Sequence, residues 1–162
     1  MPLLVWMGLI FHFSSSAGST GHSEPLVKRV LHWISPGFAA TLSPEQLDRL
    51  DFGVRKTLHV SEYLVLTLLA FRAFRFGRKE KPFRHAVLAG AASVLYAAGD
   101  ELHQAFVPGR SASVGDVGID SIGVAAAVLL IVLHTLSGRA DDLLSRDTAQ
   151  HAGTHPPLSC LL

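Results

Sequence analysis

The stretch from Asp100 to Asp120 holds much of what this chain could use for chemistry: Asp100, Glu101, His103 and Gln104 close together, then Pro108-Gly109-Arg110, then Asp116 and Asp120. A carboxyl group withdrawn from water can act as a general acid or base, unless neighbouring cations hold it ionised. A guanidinium at Arg110, joined by Arg55 or Lys56, supplies the charge that grips a phosphate or carboxylate. Lys56, His59 and Glu62 recur every three residues and Asp116 and Asp120 stand four apart, so each set can lie along one helix face. The catalytic candidates are Asp100, Glu101, His59 and Glu62. The candidates for holding a ligand are Lys56, His103, Gln104, Arg110, Asp116, Asp120, Ser14 and Ser15.

The elements that position these groups are apolar. Hydrophobic residues make up 49% of the chain and charged ones 17%, against about a quarter charged in an ordinary soluble domain. The expected fold is all-α: a polytopic membrane bundle of about four transmembrane helices with short interfacial helices in the outer loop. A net charge of +1 leaves no basic excess to neutralise phosphates, which excludes nucleic acid as a partner and leaves membrane lipids. The single cysteine, Cys160, has no partner in the chain for a disulfide.

Leu3 to Phe13 is the first apolar segment, but eleven residues reach only about 17 Å into a hydrocarbon layer about 30 Å thick. Either the start lies upstream or this segment does not fully span. A cleaved signal peptide ending near Ser15-Ser16-Ala17-Gly18 is the rival reading, opposed by the lack of a basic residue before the apolar run. A helix from Glu24-Pro25 with Leu26, Val30 and Trp33 on one face suits a membrane surface, and Ser43-Pro44-Glu45-Gln46 reads as a capped helix start. Thr57–Phe76, His85–Phe106 and Val117–Leu136 are the longer apolar segments. Gly90, Ala91, Ser93, Ala97 and Gly99 in one, and Gly118, Ser121, Gly123 and Ala125 in the other, predict that the last two pack closely together.

Between Arg72 and Arg84 six basic residues face one acid, which places loop 72–85 in the cytoplasm of an inner-membrane protein. Residues 1–138 then form the membrane domain, and 139–162 a disordered cytoplasmic tail. Counting outward from Arg75, Arg84 and Arg139, Glu62, Asp100 and Asp120 lie about 20, 24 and 28 Å away, all near the outer face. Charges at that depth must turn toward other protein groups. The economical solution is one polar cluster in an outward-opening pocket.

Phe13-Ser14-Ser15, Lys56-x-x-His59-x-x-Glu62-Tyr63, and above all Asp100-Glu101-x-His103-Gln104-x-Phe106-x-Pro108-Gly109-Arg110 with Asp116, Asp120 and Gly123, resemble the VanZ-like family of small bacterial membrane proteins. The resemblance covers roughly residues 3–135 and implies a membrane protein of four or five helices, linked by the family's name to resistance to the glycopeptide teicoplanin. It implies a cell-envelope precursor or a glycopeptide as partner and assigns no reaction. Asp120 stands where the resemblance leads one to expect Asn, and the first segment is short for the family.

Three other readings compete. The cluster could only fasten helices, as buried polar networks do. It could be a metal-dependent site at His59, Glu62, Asp100 and His103, although His-x-x-Glu alone is a weak metal signal and the expectation is no metal and no cofactor. A proton path is opposed by the uncharged inner halves Leu64–Phe71, Ala86–Tyr96 and Val124–Leu133. Whether bonds are broken at the cluster stays open.

Overall fold

The computed structural model describes residues 2–17, 24–77, 81–107 and 113–152, and every regular element among them is helical. In chain order these are α1 (Pro2–His12), continued by a π-helical turn (Phe13–Ala17), α2 (Glu24–Ile34), α3 (Pro36–Thr41), α4 (Pro44–Arg75), α5 (Pro82–Gln104) and α6 (Val114–Ala152). By length and composition α4 and the Val114–Arg146 part of α6 suffice to cross a membrane, and Pro2–Ser15 is a shorter apolar helix.

The start of α4 follows from its first residues. Ser43 Oγ accepts from the Gln46 amide at 3.3 Å, Gln46 Oε1 accepts from the Ser43 amide at 2.8 Å, and Pro44 occupies the first turn. The sequence reading separates this capped helix from the apolar segment beginning at Thr57, whereas the structure joins them in one helix of 32 residues. No proline follows Pro44 within it, Gly53 alone is a weak breaker, and the Glu45–Arg49 and Asp51–Arg55 pairs carry the helix across the gap. At the other end of the chain, α6 continues through the stretch after Gly138 where the sequence reading expects disorder. Residues 139–152 contain neither Pro nor Gly, and Asp142 and Arg146 pair at 3.1 Å across one turn.

Three long helices form the body. Lys56 meets Asp116, His59 meets Asp120 and Val60 lies against Gly123, so α4 and α6 run parallel. Gly90 faces Val124 and Val128 while Glu101 reaches Ser113, which makes α5 antiparallel to α6. Trp6 reaches Glu62, Met7 reaches Tyr96 and Ser14 reaches Asp100, so α1 runs alongside α5 and against α4. The core between them holds Ile10, Tyr63, Leu66, Ala97 and Val124. Large apolar residues on the outside of the same helices, among them Val87, Leu95, Ile122 and Leu129, are exposed, as lipid-facing residues are.

The small residues divide by what they touch. A Cβ at Gly123 would stand 2.1 Å from the Val60 carbonyl oxygen, so this glycine lets the α4 and α6 backbones meet. At Gly90 a Cβ would meet only side chains, Val128 at 3.1 Å and Val124 at 3.6 Å, the predicted α5–α6 contact, whereas Gly99 and Gly118 have open space around them. Close approach therefore joins α6 to α4 as well as to α5.

Gly123→Ala should destabilise the protein by about 3 kcal/mol, the upper end of over-packing, because the obstructing atom is backbone. Gly53→Ala, with nothing within 4 Å of the added carbon, should stabilise it by about 0.5–1 kcal/mol. Unfolding in detergent micelles measures both, and equal shifts would contradict this account of the α4–α6 contact.

Candidate functional site

The buried polar face of α5 is the centre of the cluster. Asp100 and Gln104, four residues apart, share that face with Glu101, and all three are buried. Gln104 Nε2 donates to Asp100 Oδ2 at 2.9 Å, and Ser14 Oγ donates to the same oxygen at 2.6 Å. Ser14 sits in the π-helical turn that continues α1, which carries the serine further along the bundle than the eleven-residue α1 alone reaches. Beside it Ser15 Oγ donates to the Phe11 carbonyl at 2.5 Å and lies 3.3 Å from His103 Nε2, while the Phe11 and His103 rings stack with centroids 4.5 Å apart.

Between α4 and α6 the two periodic sets meet as a ladder. Lys56 Nζ donates to Asp116 Oδ1 at 2.5 Å, and one turn on His59 Nδ1 stands 3.4 Å from Asp120 Oδ1. The parallel direction of the helices matches a three-residue step on one to a four-residue step on the other. The first rung touches water, with side chains 21% and 30% exposed; the second is deeper, with the Asp120 side chain 2% exposed. Glu101 ties a third pair of elements together, its Oε2 accepting from the Ser113 amide at 3.0 Å just before α6 begins.

Tyr63 stands at the middle. It is fully buried, and Asp100, Asp120, Tyr96 and Glu62 all lie within electrostatic reach of its phenol. Glu101 is likewise within reach of Asp100, Asp116 and Asp120. The acids of α4, α5 and α6 thus converge at one end of the bundle. Among the described residues, the Tyr63 hydroxyl, Asp100 Oδ1 and both Asp120 carboxylate oxygens are buried without a hydrogen-bond partner. Buried polar groups are paired in the great majority of cases, so this concentration needs a reason.

Ser14, Ser15, Lys56, His59, Glu62, Asp100, Glu101, His103, Gln104, Asp116 and Asp120 all belong to this end of the bundle; Arg110 lies outside the described residues. Of the cations expected to grip an anion, Lys56 is paired with Asp116, and Arg55 with Asp51 at 3.4 Å. The centre of the cluster is buried, and Lys56, His59, Glu62 and His103 around it are partly exposed. Among the described residues, other cavities open at the basic end of α4–α6, beside α2 and α3, and between α1 and α4. Among the described residues no three of His, Cys, Asp and Glu are grouped as metal ligands.

Three aromatic residues of this region have the sequence setting of packing or membrane-belt residues. Tyr63 is one, and Trp6 and Tyr96 are the others. Trp6 Nε1 donates to the Glu62 carbonyl at 3.0 Å and Tyr96 Oη to the Met7 carbonyl at 2.7 Å, so both fasten α1 beside the cluster. The available signal was the phenol itself, because a Tyr inside an apolar helix needs a polar neighbour.

Ser14→Ala should destabilise the protein by about 1.5–3 kcal/mol, since it strips a buried donor from Asp100. Lys56→Met, at a pair that touches water, should cost less than about 1 kcal/mol. A Ser14/Asp100 double-mutant cycle in micelles should give a coupling of about 1–2 kcal/mol. A coupling near zero would mean that the α1 turn does not hold Asp100.

No curated protein and no solved structure matches this chain. The model of one family, described as VanZ/LLP1, matches residues 1–135. That range takes in α1 to α5 and the first part of α6, every candidate site residue, and the small residues that set the α4–α6 contact. With the apolar helices and the clustered acids at one end, this 162-residue membrane protein belongs to the VanZ/LLP1 family.

Proposed function

We propose that the protein is a multi-pass inner-membrane protein whose clustered acids bind, and in one variant modify, a cell-envelope component, contributing to glycopeptide resistance of the teicoplanin type. Four spans are assigned to α1 with its π-helical turn, α4, α5 and α6, and α2 and α3 lie at the outer interface. The basic loop 72–85 and residues 139–162 are cytoplasmic, so the cluster opens outward.

The observation that carries this reading is the set of unused buried polar atoms at Tyr63, Asp100 and Asp120. A network that only fastened helices would gain by pairing them. Three of the four are carboxylate oxygens, which only accept hydrogen bonds, so they suit a ligand rich in donors. The hydroxyl and amino groups of a glycan have that chemistry, and glycans are common to envelope precursors and glycopeptides. In the variant that breaks a bond, Asp100 or Glu101 acts as the base, with His59 and Glu62 beside it. Lys56, His103, Gln104, Asp116, Asp120, Ser14, Ser15 and Arg110 hold the ligand.

The second reading is fastening alone, and a specific observation favours it: Ser14 to Asp100, Lys56 to Asp116 and Glu101 to Ser113 each join different elements. A crossed experiment separates the two. Asp100→Asn, Glu101→Gln and Asp120→Asn are each expressed, and teicoplanin susceptibility is measured together with membrane abundance. The binding reading expects resistance to fall at least about tenfold at unchanged abundance, the equivalent of about 1.4 kcal/mol of lost affinity. Loss of both together points to fastening, and loss of neither sinks both readings.

A further inference from the structure

The opposite end of the bundle carries a second site. The end of α4, the start of α5 and the middle of α6 enclose an open cavity of about 500 Å³ lined by Arg75, Lys81 and Arg139 together with His134 and Thr135. None of the described residues lining it is acidic. Among the described residues none of the three cations forms an ion pair, unlike Arg49, Arg55, Lys56 and Arg146 in the same chain. The α5 N-terminus adds to the positive potential, because Pro82 also lines the cavity and the first-turn amides of a helix point outward unpaired.

The backbone supplies an independent observation. Lys81 adopts φ +59, the left-handed region that residues with a Cβ rarely occupy, and it is the single non-glycine residue with positive φ in the structure described. Gly or Asn would hold this turn with less strain. The lysine at this position places a cation at the cavity where Gly or Asn would suit the backbone better.

Apolar surface adjoins the cations. Phe76 is 87% exposed, Phe83 and Leu136 are also exposed, and the Arg139 guanidinium lies over the Phe83 ring at 5.6 Å. Cations that converge on a cavity beside lipid-facing aromatic and aliphatic side chains match a molecule with an anionic head and a hydrocarbon body. The geometry points to a binding site for the phosphate of an anionic phospholipid headgroup, held by Arg75, Lys81 and Arg139, with the acyl chains along Phe76, Phe83 and Leu136. A free phosphate shares the head chemistry but leaves the apolar flank unused. The site is separate from the acid cluster and does not depend on what that cluster does.

The test uses the full chain in nanodiscs containing phosphatidylglycerol and phosphatidylcholine, released into native mass spectrometry to compare the two lipids retained. The wild type should hold one phosphatidylglycerol in preference to phosphatidylcholine. The preference should fall about fivefold for each cation removed in Arg75→Gln, Lys81→Asn and Arg139→Gln. Lys81→Asn guards against a folding artefact, because Asn tolerates the left-handed conformation and the variant should be no less stable. Arg49→Gln, at the far end, should keep the preference intact. An unchanged preference in the triple variant, or its equal loss in Arg49→Gln, overturns the assignment. So does displacement of the lipid by millimolar inorganic phosphate, which would make the site one for the free anion.

Discussion

Asp120 sits 1% exposed between α4 and α6, and Asp100 is hardly more open between α5 and the turn after α1. A carboxylate in such a place is unfavourable by several kcal/mol unless charges and donors from other elements reach it, and this requirement governs the arrangement of the whole acidic end. His59 must approach from α4, Ser14 from the π-helical turn and Gln104 from the next turn of α5. None of these lies near both acids in sequence. These contacts therefore form only when four segments are in place together, which makes this end of the bundle cooperative in a way that apolar packing alone does not impose.

The apolar part of the bundle answers a different need. In lipid there is little hydrophobic gain in bringing helices together, so close contact has to come from shape. Gly123 against the Val60 carbonyl, and the buried Ala86, Ala89, Ala97 and Ala127, provide that shape. The two requirements are coupled through register. Gly123 lies one turn along α6 from Asp120, and Val60 follows His59 directly, so the backbone contact that draws α4 and α6 together also brings the imidazole to the carboxylate. A sequence that lost the glycine would misplace the His59–Asp120 contact as well.

This coupling explains what could be read in advance. The meeting of Glu62, Asp100 and Asp120 at one end was legible because helical rise converts sequence distance from the basic anchors into depth, and acids at depth must face protein. The pairing of Lys56 with Asp116 and His59 with Asp120 was not, because it depends on the register set by Gly123, and composition shows that a glycine can permit close approach without showing which helix it meets. The continuity of α4 was hidden for another reason. Its polar first half reads as a loop segment by hydropathy, while the capping box and salt bridges that keep it helical are local signals with no bearing on hydropathy. Tyr63 escaped because a phenol in an apolar run looks like packing until the acids of three helices are placed around it.

Fastening and binding need not compete for the same atoms. Asp100 divides its work: Oδ2 accepts from both Ser14 and Gln104, while Oδ1 is buried without a hydrogen bond. At Asp120 the nearest His59 ring nitrogen stands 3.4 Å away, and among the described residues both carboxylate oxygens are without hydrogen bonds. One set of interactions can thus hold the helices while another keeps acceptors available at fixed positions. Such fixed acceptors have a catalytic and recognition advantage, because their orientation is imposed by folding and does not have to be imposed again by the ligand. The energetic cost of leaving them unpaired is then carried by the helix contacts around them, with Gly123 the contact that permits least adjustment.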